Sequence, residues 1–256
     1  MSPIGIRQLA DGLHWVLLFV SLSIAILYLS WKVLAPVDYG YSIWYELLNI
    51  DKTIEEEGPR NRFRPMFHIT DRAERERLFG AIVEAINNNG EGLAELVYHD
   101  PDGKALGPLL TNDEVIHLKD VANLVGFFRG IAWGSAGVFV VLAIAAWARR
   151  MSPPSPGRIA MGCGVFIGGG ALSIVAIGPV RVFYALHEVV FPSEHKWFFY
   201  YDESLMSMMM QAPNLFGPIA LLWLALALLL FVVVWLTVAK GLRKRANYVG
   251  ETTRNS

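Results

Sequence analysis

The sequence predicts a mainly α membrane protein, a four-transmembrane-helix bundle with a small α+β extracytoplasmic cap inserted between helices 1 and 2. Three observations predict it. Hydrophobic residues make up 54% of the 256 residues and charged residues only 18%, against about 25% charged in a soluble domain. Four stretches reach the length of about 20 mostly apolar residues that a membrane-crossing helix needs. A long segment of mixed composition, 35–128, separates the first two stretches.

The same arithmetic excludes several classes. A formal net charge of −1 gives no electrostatic basis for binding nucleic acid. The richness in aliphatic and aromatic residues excludes disorder. Cys163 is the single cysteine, so no intramolecular disulfide and no cysteine-based zinc site can form.

The four spans are expected at 13–34, 129–149, 158–181 and 215–239. Trp15 and Trp31 flank the first and Trp133 and Trp147 the second, where amphipathic rings anchor at the two interfaces. The apolar core of the first span exceeds a signal-peptide core and no small-x-small site follows it, so it reads as an uncleaved signal anchor. Arg7 precedes span 1, Arg149, Arg150 and Arg158 lie between spans 2 and 3, and Lys240, Arg243, Lys244 and Arg245 follow span 4. The positive-inside rule puts all of these in the cytoplasm, with both chain ends and the 240–256 tail. The 35–128 cap and the 182–214 loop then face outward. Glycines at G-x-x-x-G spacing in span 2 (Gly130, Gly134) and span 3 (Gly164, Gly168) suit close helix packing.

Within the cap, Thr70 or Asp71 opens a helix whose apolar positions Leu78, Phe79, Ile82, Val83 and Ile86 follow the helical period. NNNGEG stops it, and the DPDG turn at 100–103 joins two short strands. Thr111 and Glu114 have capping-box spacing, and the helical pattern runs on from there into span 2. His117 then lies roughly 18 Å beyond Arg129 along a straight helix axis. Arg181, Tyr184 and His187 follow the outer end of span 3, where Pro179 suits a kink.

Two histidines from different helices are thereby expected above the same face of the bundle. Two imidazoles near neutral pKa suit proton transfer, one as base and one as acid. His117 and Asp120, at i,i+3, share a face, so the carboxylate is expected to orient the ring. Tyr184 and His187 repeat that spacing. Arg129 and Arg181 are candidates for phosphate or carbonyl contacts, although snorkelling to the interface is the plainer account of both. A pair of histidines with Asp120 or Glu188 also suits a metal ion, and an interface anchor is an equally simple account of either histidine alone. His195 is a weaker candidate. His14 reads as a snorkelling interface residue, His68 and His99 as surface residues. Met206, Met208, Met209 and Met210 form an apolar surface suited to acyl chains or to membrane re-entry. The familiar hydrolase, zincin and nucleotide-binding motifs are absent where they would have meaning. Span interiors nearly free of ionisable residues argue against transport.

LTNDEVIHLKDV at 110–121 and the series His187, Phe191, Trp197, Phe199, Pro213, Phe216 resemble the DUF1461 integral membrane family, which includes lipoprotein transacylases. The chain departs from the Gram-positive pattern at Leu118, Tyr200 and Tyr201, and its NRFR and ERERLFGAIVEAI stretches look like a proteobacterial branch. The resemblance implies an acyltransferase of the bacterial inner membrane. It would move an ester-linked chain of a diacylglyceryl lipoprotein onto the N-terminal cysteine α-amine. His117 and His187 would be the catalytic pair on the outer face, with no metal or other cofactor. The partners implied are the lipid bilayer and lipidated lipoproteins. A metal-dependent lipid hydrolase and a non-enzymatic envelope-protein binding module are the competing readings.

Overall fold

The computed structural model describes residues 3–64 and 66–252, and these are mainly helical. The chain forms two compact units. One holds the residues up to Ser30, Arg129–Ile177 and those from Leu224 onward; the other holds Trp31–Phe128 and Gly178–Trp223.

Among the described residues, four helices are long and apolar enough to cross a membrane, at Arg7–Leu47, Asn112–Ala148, Pro156–Ile177 and Phe216–Arg245. They correspond to α1 (Pro3–Leu34), α5 (Asn112–Ala148), α6 (Pro156–Ile177) and α9 (Phe216–Thr252). At 37 residues, α5 is about 55 Å long, nearly twice the hydrocarbon thickness of about 30 Å. Only its charge-free part, 130–148, suits hydrocarbon; the first turns carry Asp113, Glu114, Lys119 and Asp120. His117 therefore belongs to the part outside the span.

Three expected boundaries differ in secondary structure. The third apolar stretch is not helical through to residue 181: α6 stops at Ile177, and Gly178 takes φ +97, a region that glycine adopts without Cβ strain. A new helix, α7 (Pro179–Val190), then begins with proline in its first turn, where its missing N–H costs nothing. The 182–214 segment, expected as a loop, contains most of α7 and a short α8 (Leu205–Met210). Helix also continues from the fourth span through the expected tail to Thr252.

In the first unit, Trp15, Leu18, Leu22 and Ile26 of α1 pack with Ala146 of α5 and Ala227, Trp235 and Ala239 of α9. His14 is buried rather than snorkelling, its ring 5.5 Å from that of Trp15. The G-x-x-x-G glycines do not mediate the expected packing: a Cβ at Gly130, Gly134, Gly164 or Gly168 would meet no atom within 4 Å. The described side chains of α6 include none that is buried, so the small residues there face outward.

The second unit builds its core from α2 (Tyr41–Leu47), α3 (Ile50–Glu57), α4 (Arg72–Asn87) and α8. Asp71 caps α4, its side chain accepting from Glu74 N at 2.8 Å. Leu78, Phe79, Ile82 and Val83 are buried, as the helical period requires. Tyr41 stacks on Phe79 with centroids 3.9 Å apart and donates its hydroxyl to Met209 O at 2.9 Å. An antiparallel pair, β1 (Val97–His99) and β2 (Ala105–Pro108), closes over the DPDG turn. The methionines of α8 are core rather than surface: Met208 and Met209 are 0% exposed, and each such burial contributes roughly 1.5–3 kcal/mol. Six consecutive buried positions, Leu205–Met210, bring α8 entirely inside this unit.

Candidate functional site

The site begins at the N-terminus of α5. Thr111 and Glu114 form a reciprocal capping box: Thr111 N donates to Glu114 Oε2 at 2.6 Å, and Glu114 N donates to Thr111 Oγ1 at 3.3 Å. Glu114 is fully buried, and its second oxygen accepts a hydrogen bond from the Ser204 hydroxyl. Ser204 is itself the cap of α8, accepting from Ser207 N at 2.9 Å. Arg64 Nη1 lies 3.8 Å from the same carboxylate and donates to Leu109 O at 2.9 Å. One buried carboxylate thus fixes the start of α5, the start of α8 and the 61–64 turn together. Its sequence signal was half legible: capping-box spacing shows Thr111–Glu114, but nothing local shows Ser204 or Arg64.

His117 follows Glu114 by i,i+3 on α5. It is 8% exposed, and its Nδ1 is fully buried with no hydrogen-bond partner among the described residues. Its ring centroid lies 4.9 Å from Phe191, 6.1 Å from Phe199 and 6.1 Å from His187. The two imidazole planes are tilted by 34°. His187, half-buried on α7, contacts Phe183 at 4.0 Å, Trp197 at 5.1 Å and Phe191 at 5.2 Å. The pair therefore sits within a cradle of aromatic rings.

The two rings are held differently. His187 Nδ1 lies 2.8 Å from Phe183 O. A carbonyl can only accept, so Nδ1 carries the proton and, in the neutral ring, the lone pair is on Nε2. Burial pushes the His187 pKa below the usual histidine range, against an opposing contribution from the Phe183 carbonyl. For His117, burial pushes the pKa down to about 4; a positive charge on His187 adds to that effect and Asp120 opposes it. Both rings are consequently neutral near pH 7.

Asp120 does not hydrogen-bond to His117, the expected arrangement. Its Oδ2 lies 2.6 Å from His195 Nδ1 instead. An i,i+3 pair shares a helix face, but His195 approaches the carboxylate from a loop 75 residues away. Tyr184 packs against Trp197 and Phe198, both at 5.8 Å. Arg181 is exposed and makes no hydrogen bond or ion pair among the described residues. Six positions along α7 place it roughly 120° around the axis from His187, so the two side chains leave different faces. Arg129 is exposed on α5. Among the described residues, no three His, Cys, Asp or Glu side chains cluster in a way that could hold a metal ion.

Sequence reasoning missed the cradle. Six of the eleven residues 191–201 are aromatic, a density that a plain surface loop has no reason to carry and that points to this segment. Of the two histidines read as surface residues, His99 is tied to Glu74, which lies 3.0 Å from its Nδ1, and His68 lends its carbonyl to buried Arg75 at 3.0 Å.

Comparison with known proteins shows the family. The model of the lipoprotein intramolecular transacylase Lit family matches residues 16–216, and the chain belongs to that family. Among solved structures, it is similar to the membrane integral Lit of Bacillus cereus carrying a histidine-to-arginine substitution. The TM-score there is 0.63 at 14% identity, covering 94% of this chain and 96% of that one. A second Bacillus cereus Lit structure gives a TM-score of 0.60 at 15% identity, covering 92% and 98%. A histidine-to-alanine variant gives 0.57 at 15%, covering 100% of each chain. At such identities the likeness shows the fold. No curated protein matches the chain significantly in sequence. The chain is an integral membrane protein of this family, with four apolar helices.

Proposed function

We propose that this member of the lipoprotein intramolecular transacylase family moves an ester-linked acyl chain of a diacylglyceryl lipoprotein to the α-amine of its N-terminal cysteine. The observation that carries the reading is the pair of neutral imidazoles, 6.1 Å apart under a shared aromatic cradle, in a chain of that family.

The chemistry needs two proton movements. An α-amine has a pKa of about 7.7–8.0 and must lose a proton to attack. Its nitrogen forms a bond to the ester carbonyl carbon, and the tetrahedral adduct then breaks its bond to the glyceryl oxygen. Starting from the protonated amine, nitrogen loses two protons in all. One is released before attack, and the second, lost from the tetrahedral adduct, matches the one gained by the glyceryl oxygen, so each ammonium consumed releases one net proton. His187, with Nδ1–H fixed and Nε2 holding the lone pair, suits the base. His117, neutral at rest, suits the return once the proton lost by the adduct nitrogen has been relayed to it, since its buried conjugate acid gives one up readily. Amine and ester belong to one lipid-modified residue, so orienting the head group supplies much of the rate. Phe191, Phe183 and Trp197 offer the apolar surface against which that head group is folded.

The same reading places the site on the outer face of a bacterial inner membrane. Spans at 13–34, 129–149 and 215–239, with a third that ends at Ile177, and the basic residues Arg149, Arg150, Arg158, Lys240 and Arg243 on the cytoplasmic side, support that orientation through the positive-inside rule. The test is mass spectrometry of a lipoprotein N-terminus from cells with and without this chain. An acyl group moved from the glyceryl ester to the α-amine is expected only with it. The same acylation pattern in both would dismiss the proposal.

A further inference from the structure

Residues 191–200 carry Phe191, Trp197 and Phe199, whose rings meet His117 or His187. Most of the polar contacts of this loop are local. His195 N donates to Pro192 O at 3.1 Å, and Phe191 N to His187 O at 3.0 Å. Lys196 Nζ lies 2.6 Å from Glu203 Oε1, and Tyr200 N donates to the same carboxylate at 3.2 Å. Among the described residues, the hydrogen bond that ties 191–200 to a distant part of the chain is His195 Nδ1 to Asp120 Oδ2, at 2.6 Å. Asp120 is one helical turn from His117.

The geometry points to Asp120 and His195 as a positioning pair, a clasp that holds the aromatic loop against the face of α5 that bears His117. This rests on the transacylase reading of the two other histidines. Neither member of the clasp touches the reacting atoms. The carboxylate accepts from Nδ1–H, the contact is charge-assisted, and such bonds are shorter and stronger than neutral ones. With the clasp made, Phe191 spans both imidazoles, at 4.9 and 5.2 Å, and the cradle is pre-formed before substrate arrives. Without it, residues 191–200 keep their local contacts, their ring packing and the anchor that follows them at 201–203, where Asn61 and Arg62 bind, and the substrate must order the rest on binding.

The consequence separates a clasp from a third proton-transfer group. Asparagine at 195 places an amide N–H near the position of Nδ1, so His195→Asn keeps the donor and discards the imidazole. Asp120→Asn keeps an acceptor and discards the charge. Acyl transfer is followed with the purified full chain in detergent and a synthetic diacylglyceryl lipopeptide, with each variant first checked for monodispersity. For Asp120→Ala and His195→Ala, KM is expected to rise on the order of tenfold while kcat falls less, the scale of one lost charged hydrogen bond. The double alanine variant should be no worse than either single one. His195→Asn and Asp120→Asn should recover most of the loss. If His195→Asn is as inactive as His195→Ala with kcat abolished, His195 is a proton-transfer group and the clasp is overturned. Full activity in both alanine variants, with His117→Gln inactive, also overturns the clasp but leaves the transacylase reading standing. Full activity in His117→Gln and His187→Gln would instead remove the reading on which the clasp rests.

Discussion

Lowering the pH should unfold this protein through His117. The ring is 8% exposed, its Nδ1 has no hydrogen-bond partner among the described residues, and its pKa is pushed down to about 4 from an ordinary 6.5. Between those values the unfolded chain binds a proton that the folded chain refuses, so stability falls with falling pH. It is fully present above about 6.5 and is lost as pH drops toward 4. Each pKa unit is worth about 1.4 kcal/mol, so His117 alone accounts for roughly 2–3 kcal/mol between pH 7.5 and 4.5. The comparison is between wild type and His117→Gln, whose amide does not titrate, by thermal unfolding in one detergent at both pH values. Wild type should lose several degrees more than the variant on acidification. Equal losses would mean that His117 is not held neutral by burial, and the argument for a dry, uncharged ring would fail. His187 shifts in the same direction and is coupled to His117, so His187→Gln and the double variant are measured beside it to separate the two contributions.

Four further outcomes are expected of the protein. His187→Gln should reduce acyl transfer by roughly a hundredfold or more, the usual scale of general acid–base catalysis, with the protein still extracted intact from membranes; turnover of the lipopeptide checks this. The rate should rise with pH toward 8, following the substrate amine, without an acid limb at the usual histidine pKa of about 6.5; a pH–rate profile checks this. Glu114→Gln removes the charge from a fully buried carboxylate beside Arg64, and a cost of several kcal/mol is expected from the partner charge left behind; chemical denaturation would show it. Met209→Ala empties a 0% exposed position and should destabilise by about 2–5 kcal/mol.

The membrane class, the α4 helix and the hairpin were legible because their signals are local. Apolar runs, the Asp71 cap and the DPDG turn each lie within a few residues of what they specify. The capping box at Thr111 was legible for the same reason. Residues 204–210 misled because SLMSMMM reads equally well as an apolar surface and as a core; only the packing of α3 and of Tyr41 from α2 on it decides, and that packing is non-local. The break after Ile177 needed Gly178 as well as Pro179: a proline alone suits a kink, whereas φ +97 ends the helix. Asp120 shows the limit most clearly. Helical spacing correctly puts it on one face with His117, yet its hydrogen bond goes to His195, and no spacing rule reaches across 75 residues.

The central claim is that His117 and His187 together move an acyl chain within one lipid-modified residue. It is tested most directly by incubating the purified protein, and its His117→Gln and His187→Gln variants, with a defined diacylglyceryl lipopeptide and locating the acyl group by tandem mass spectrometry. Wild type should carry the chain from the glyceryl ester to the α-amine, leaving a free glyceryl hydroxyl, and neither variant should. A chain released as free fatty acid, left on the glyceryl group by wild type, or transferred equally well by either variant would contradict the account.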